Sequence, residues 1–210
     1  TFIDIFASYD AELPMITQSL IWLSNFFRKY ILWITVVFAA VVITFKLYAN
    51  TESGRLKVAK MALKIPVLGN VSMLSAASEF AANLTTLIGA GLQLTKAVSI
   101  TAKVINNYYI SQCVGKMTSR LEEGRSLGDC MREANCLPAI LVDMTAVGEE
   151  TGELEGTLHT VSGYYESELD MAVQDVLKKL EPTLLVFMAG IAGYIVLAVY
   201  IAMFQMYAVM

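Results

Sequence analysis

Three carboxylates, Glu149, Glu150 and Glu153, crowd a glycine-containing turn between Gly148 and Gly156, and clustered acids are the side chains that hold Mg²⁺ or Ca²⁺. A cation site needs more converging oxygens than this turn supplies. Two other readings stand: acid placed with Thr151 and Glu155 at the positive end of a long helix, or contact with a partner. His159 is the only histidine, and Glu155 four residues before it offers a second ligand on the same helical face, but two ligands do not make a metal site. Cys113, Cys130 and Cys136 are an odd number with no CxxC spacing, so neither a disulfide framework nor a zinc site is signalled and a reducing compartment is expected. No Walker glycine loop occurs, so nucleotide energy must come from elsewhere. Aspartyl intramembrane proteolysis needs paired acids at membrane depth, and neither apolar stretch holds one. No catalytic residue, metal or cofactor is implied.

Charge is distributed unevenly. Between Arg132 and Lys178 there is no Lys or Arg, whereas Asp143, Glu149, Glu150, Glu153, Glu155, Glu166, Glu168, Asp170 and Asp175 fall in that interval. Such self-repulsion is offset by solvent or by a cationic partner. Glu155, Glu166 and Asp170 stand at offsets 0, 11 and 15, close to whole helical turns, and share a face with His159. This acidic face, with Glu149, Glu150 and Glu153, is either a solvated surface or a docking surface for a basic partner. The net charge of −4, from 15 Lys+Arg against 19 Asp+Glu, argues against a nucleic-acid partner.

The elements that must position these groups are helices, two of them in lipid. Fifty-six per cent of the chain is hydrophobic and 16% charged, outside the range of ordinary soluble domains. Tyr30–Phe45 is uncharged, with Lys29 and Lys46 able to reach the interface along their stems, and residues 30–48 are expected to form one transmembrane helix. Pro182–Met210 carries no charge over 29 residues and forms the second. Lys46, Arg55, Lys57, Lys60 and Lys64 after the first span, and Lys178 and Lys179 before the second, place residues 51–180 in the cytoplasm. Residues 1–29 then form a periplasmic loop leading into the membrane, and the C-terminus is periplasmic. The chain opens on Thr1 and is read as a fragment of something longer.

Within 51–180 apolar residues recur at three and four. Leu74, Ala77, Ala81, Leu84 and Ile88 form one core stripe, and Leu154, Leu158, Val161, Tyr165, Leu169, Ala172, Val176 and Leu180 a longer one. Punctuation at Pro66 and Gly69, Gly89 and Gly91, Asn106 and Asn107, Gly124 with Ser126, Pro138, and the run Gly148 to Gly156 divides the block into six or seven helices. The predicted fold is all-α: a cytoplasmic six- to seven-helix bundle flanked by two transmembrane helices. Lys57, Lys60 and Lys64 share one helical face and Val58, Met61 and Ile65 another, which suits a helix lying on the inner leaflet. Ala189 and Gly193, and Ala198 and Ala202, are small residues four apart, a spacing for close helix–helix contact in lipid. A channel or transporter is the competing function, with Thr35, Thr44, Gln205 and several tyrosines as weak polar candidates in the spans.

Five strings stand together in order: LPMITQSLIWLSNF at 13–26, FAANLTTLIGAGLQLTKAV at 80–98, EGRSL at 123–127, VGEETGEL at 147–154 and LEPTLLVFMAGIAGYIV at 180–196. They resemble the type II secretion F family, inner-membrane platform proteins of type IV pilus assembly and type II secretion, and specifically its C-terminal half. The resemblance implies a non-enzymatic scaffold in the bacterial inner membrane. It also implies its partners: a cytoplasmic assembly ATPase, a major pilin or pseudopilin, other inner-membrane assembly components, and further copies of itself in a homo-oligomer.

Overall fold

The computed structural model describes residues 15–209, and at 15–17, 20, 21, 23, 202 and 205–209 it describes the backbone alone. Those residues form eight helices and no strand: α1 Met15–Asn50, α2 Glu52–Ala62, α3 Leu68–Gly89, α4 Leu94–Val104, α5 Tyr108–Glu122, α6 Leu127–Ala134, α7 Ala139–Thr151 and α8 Leu154–Val209. They divide into two compact units. One holds the α1 residues up to Lys46 with the α8 residues from Lys178; the other is Leu47–Leu177.

The second unit is a helical bundle in which successive helices turn back on one another through short connections. α3 packs on α4, α4 on α5, α5 on α6 and α6 on α7, while α2 packs on both α3 and α5. The turns follow local chemistry. Gly91 takes φ +80° between α3 and α4, Gly124 φ +85° before α6, and Gly152 φ +75° after α7, the left-handed region that a side chain disfavours. Asn107 starts α5 by accepting from the N–H groups of Tyr109 and Ile110 at 3.0 and 3.2 Å, and Ser126 starts α6 by accepting from Asp129 N–H at 3.1 Å.

Phe80 and Leu84 of α3, Val98 of α4, Ile110, Val114 and Met117 of α5, Leu127 and Met131 of α6, Leu141 of α7 and Leu158 of α8 form the core, all buried. The α3 stripe lies as its spacing predicts: Ala77, Ala81 and Leu84 are buried, with Leu74 and Ile88 packed against the core. The α8 stripe is shorter than predicted. Leu154, Leu158, Val161 and Tyr165 belong to the core, but Leu169, Ala172 and Val176 are half-buried and Leu180 is exposed. Periodicity gives a face, and only neighbouring helices decide how far along it burial extends.

Helical segments Ser24–Asn50 and Leu154–Ile201 contain stretches long and apolar enough to cross a membrane. Helix α1 begins at Met15, well before the uncharged stretch; residues 1–14 of the expected periplasmic loop lie outside the described residues. Ser19 Oγ and Tyr194 Oη stand 2.5 Å apart, a hydrogen bond between α1 and α8. Pro182 lies inside α8 instead of opening a new helix, which removes the N–H that would bond the Lys178 carbonyl. Thr183 Oγ1 donates to the Lys179 carbonyl at 2.8 Å beside that gap.

Candidate functional site

The acidic turn is built where α6, α7 and α8 meet. α6 has only eight residues, so its unpaired N-terminal N–H groups weigh heavily on whether it forms. Ser126 satisfies one of them. Glu149, 22 residues away on α7, satisfies two more: Oε1 accepts from Leu127 N–H at 2.8 Å and Oε2 from Gly128 N–H at 3.0 Å. Its negative charge sits at the positive end of α6. The glycines allow this approach. A Cβ on Gly128 would lie 2.6 Å from Ala146 Cβ, and one on Gly148 would lie 2.9 Å from Thr157 Cβ and 3.1 Å from Leu154 Cα.

Glu149 is therefore half-buried and fully engaged, while Glu150, Glu153, Glu155, Glu166 and Asp170 are exposed. Among the described residues none of these five makes an ion pair. Glu155 folds back over the end of α3, where a Cβ on Gly89 would lie 2.8 Å from its Oε1. The basic side chains that precede the acidic turn in sequence are committed elsewhere: Arg120 and Arg125 both bind Glu133, and Arg132 binds Asp129 at 3.3 Å and Asp143 at 3.8 Å. No cluster of three or more His, Cys, Asp or Glu side chains suited to a metal occurs among the described residues.

Beside the acids runs a feature that sequence reasoning missed. Ile140, Met144 and Val147 are 54, 37 and 52% exposed, and their spacing of four and three puts them in one stripe along α7. Asp143 and Glu150, seven residues apart, flank it. The opposite side of the same helix, Leu141, Val142, Thr145 and Ala146, is buried in the bundle. A helix apolar on both sides was the available signal, since a surface helix keeps its outer face polar.

The other predicted groups lie apart from this surface. Lys57 and Lys60 are exposed on α2, with Lys60 Nζ 5.5 Å from the centre of the Tyr109 ring, and Lys64 lies beyond the helix, after the C-cap Leu63. Ala189 and Gly193 are exposed, with nothing within 4 Å of a Cβ built on Gly193, whereas Ala198 is buried. The side chains of Ala202 and Gln205 lie outside the described residues. Thr35 and Thr44 donate to the carbonyls of Ile31 and Ala40, each at 2.7 Å, so their hydroxyls are satisfied within their own helix.

The sequence profile described as "Type II secretion system (T2SS), protein F" matches residues 80–202, more than half of the chain, from within α3 into the second apolar stretch. The chain belongs to the type II secretion system protein F family. This F-family chain is 31% identical to the type IV pilus assembly protein PilC of Pseudomonas aeruginosa, over 98% of its own length and 55% of that relative. It is 28% identical to PilC of Thermus thermophilus over 97% of its length and 50% of the relative, and 29% identical to type II secretion system protein F of Aeromonas hydrophila over 90% and 48%. The F-family chain thus spans about half the length of the curated relatives it matches. Its EGRSL and VGEETGEL strings meet in space: Leu127 at the end of the first, with Gly128 just after it, supplies the N–H groups of α6, and the second supplies the Glu149 carboxylate that binds them.

Proposed function

We propose that the chain is the C-terminal half of a non-enzymatic inner-membrane platform serving a type IV pilus or a type II secretion system. In this reading the bundle faces the cytoplasm, tethered through lipid by α1 and α8, with the C-terminus in the periplasm. It couples a cytoplasmic assembly ATPase to insertion or extraction of pilin or pseudopilin subunits in the bilayer. The Lys and Arg count on either side of the two spans supports the orientation. Exposed Lys57 and Lys60 on α2 support contact with the anionic leaflet, and the open Ala189–Gly193 face of α8 supports packing with another membrane helix, of a second copy or of a further assembly component.

The observation that carries the ATPase contact is the α7–α8 surface, where an exposed apolar stripe of Ile140, Met144 and Val147 runs beside Asp143, which Arg132 approaches at 3.8 Å, and Glu150, which makes no ion pair among the described residues. Such a surface fits a basic amphipathic segment: apolar burial supplies affinity, and charge supplies orientation and rate. The test is co-purification of the full-length protein with its assembly ATPase. Exchanging Glu150 and Glu153 for Lys, or Met144 for Asp, is expected to reduce recovery of the ATPase at least tenfold while leaving the thermal unfolding profile of the platform in place. Undiminished recovery counts against the acidic docking surface. Glu149 is excluded from the set because its reversal would damage α6 itself. The channel reading is weaker, because the two threonines it relied on spend their hydroxyl protons on backbone carbonyls.

A further inference from the structure

A cleft of about 320 Å³ opens in the bundle where α1 ends, bordered by Ala49, Arg55, Ser72, Asn106, Asn107 and Tyr108. Its walls are set by a bonded scaffold. Asn107 donates through Nδ2 to Ser72 Oγ at 3.2 Å and to the Ala59 carbonyl at 3.4 Å, while its Oδ1 holds the first turn of α5. The Glu79 carboxylate accepts from Asn106 N–H at 3.1 Å, from Asn106 Nδ2 at 2.5 Å and from Ser75 Oγ at 3.0 Å. Three bonds occupy that nearby anion.

The cation of the cleft is free by contrast. The Arg55 guanidinium lies 4.5 Å from the centre of the Tyr108 ring, and among the described residues it makes no ion pair. Stacking on an aromatic face holds the plane of the guanidinium and leaves its five N–H donors to point outward, the arrangement that binds phosphate in a fork. Tyr108 is the first residue of α5, a 15-residue helix, so the positive end of that helix borders the same space. Ala49 is the penultimate residue of the apolar helix Ser24–Asn50, which puts the cleft at the depth where a spanning helix leaves hydrocarbon for headgroups. Exposed Leu56 and Met61, with Lys57 and Lys60, continue the basic and apolar surface along α2.

We propose that this cleft is a binding site for the phosphate of an anionic phospholipid headgroup, with Arg55 as the phosphate ligand and Tyr108 as the residue that positions it. The proposal rests on the reading of Ser24–Asn50 as a membrane span. It adds to leaflet attraction by the α2 lysines a defined site, which selects for headgroup geometry as well as charge.

The test uses the full-length protein, delipidated in non-ionic detergent and titrated with phosphatidylglycerol, bound lipid being counted by native mass spectrometry. Phosphatidylglycerol is expected to be retained over phosphatidylcholine. R55Q is expected to weaken its retention about fivefold, the effect of losing one cation at an anionic surface. R55K keeps the charge without the fork and should fall between wild type and R55Q; Y108L should weaken retention with the charge intact. Equal retention by R55K and wild type removes the fork from the argument and overturns the site, as does unchanged retention by R55Q. Displacement of phosphatidylglycerol by millimolar inorganic phosphate assigns the cleft to a free anion and overturns the lipid. Carbonate extraction of membranes separates the two levels: a protein that washes off sinks the span, whereas one that stays embedded but ignores Arg55 sinks only this site.

Discussion

Glu149 spends its charge inside the bundle, and the energetics of one residue follow from that. Glu149→Ala leaves two helix N–H groups without their acceptor and is expected to destabilise the protein by about 1–3 kcal/mol, read from chemical or thermal unfolding. Glu149→Gln keeps one acceptor and loses the charge, so its effect should be smaller. Glu133 obeys a different rule: its hydrogen bonds from Arg125, opposed in part by desolvation, hold its carboxyl below the ordinary value. A depressed carboxyl stabilises the fold above its unfolded pKa and loses that contribution as pH falls through the folded one. The small stability difference between wild type and Glu133→Gln should therefore be present at neutral pH and vanish on acidification. The thiols run the opposite way. Burial pushes Cys136 up to about 12 and raises Cys130 as well, so alkylation of the native protein at pH 8 should be slow at both, with the half-buried Cys113 reacting first. Their protonated state stabilises the fold below the unfolded thiol pKa, and that contribution is lost as pH rises. None of these roles was legible along the chain, because the partner of Glu149 is 22 residues away and only the meeting of α6 with α7 supplies it.

Among the helices, close approach explains glycines that composition alone treats alike. Gly128→Ala would bring a methyl to 2.6 Å from Ala146 Cβ and 2.9 Å from its Cα, forcing α6 off α7 at a cost of about 1–3 kcal/mol. Gly152→Ala meets no atom but must hold φ +75°, which costs about 1–2 kcal/mol. Gly115→Ala, inside α5 with Ala102 Cβ at 3.9 Å, should instead stabilise by about 0.5–1 kcal/mol. Unfolding of the three variants side by side checks the order. The helical breaks at Gly89–Gly91, Asn107, Gly124–Ser126 and Pro138 were readable because capping and left-handed turns are local chemistry. The second apolar face of α7 was not read, since Ile140, Met144 and Val147 look like core positions until Leu141 and Val142 are seen to fill the core. The α8 stripe failed for a related reason beyond Tyr165: spacing continued, but the bundle core did not.

For the whole molecule the governing quantities are hydrophobic length and the placement of Lys and Arg. Reporter fusions in the full-length protein, one near Lys116 and one after Met210, should report cytoplasm and periplasm respectively; the same compartment for both would refute the proposed topology. Residue pattern by itself determined the helical class and the two apolar helices, because helix periodicity, span length and turn chemistry are carried by neighbours in sequence; the family resemblance rested on the five strings. The tertiary structure decided which acids are free. It engaged Glu149 with the N-terminus of α6, left the α7 stripe exposed beside the proposed docking acids, and set Arg55 on Tyr108 at the mouth of a cleft. Those outcomes depend on groups far apart in the chain being brought within 3–5 Å of one another, where desolvation and hydrogen bonding outweigh any preference a residue expresses alone.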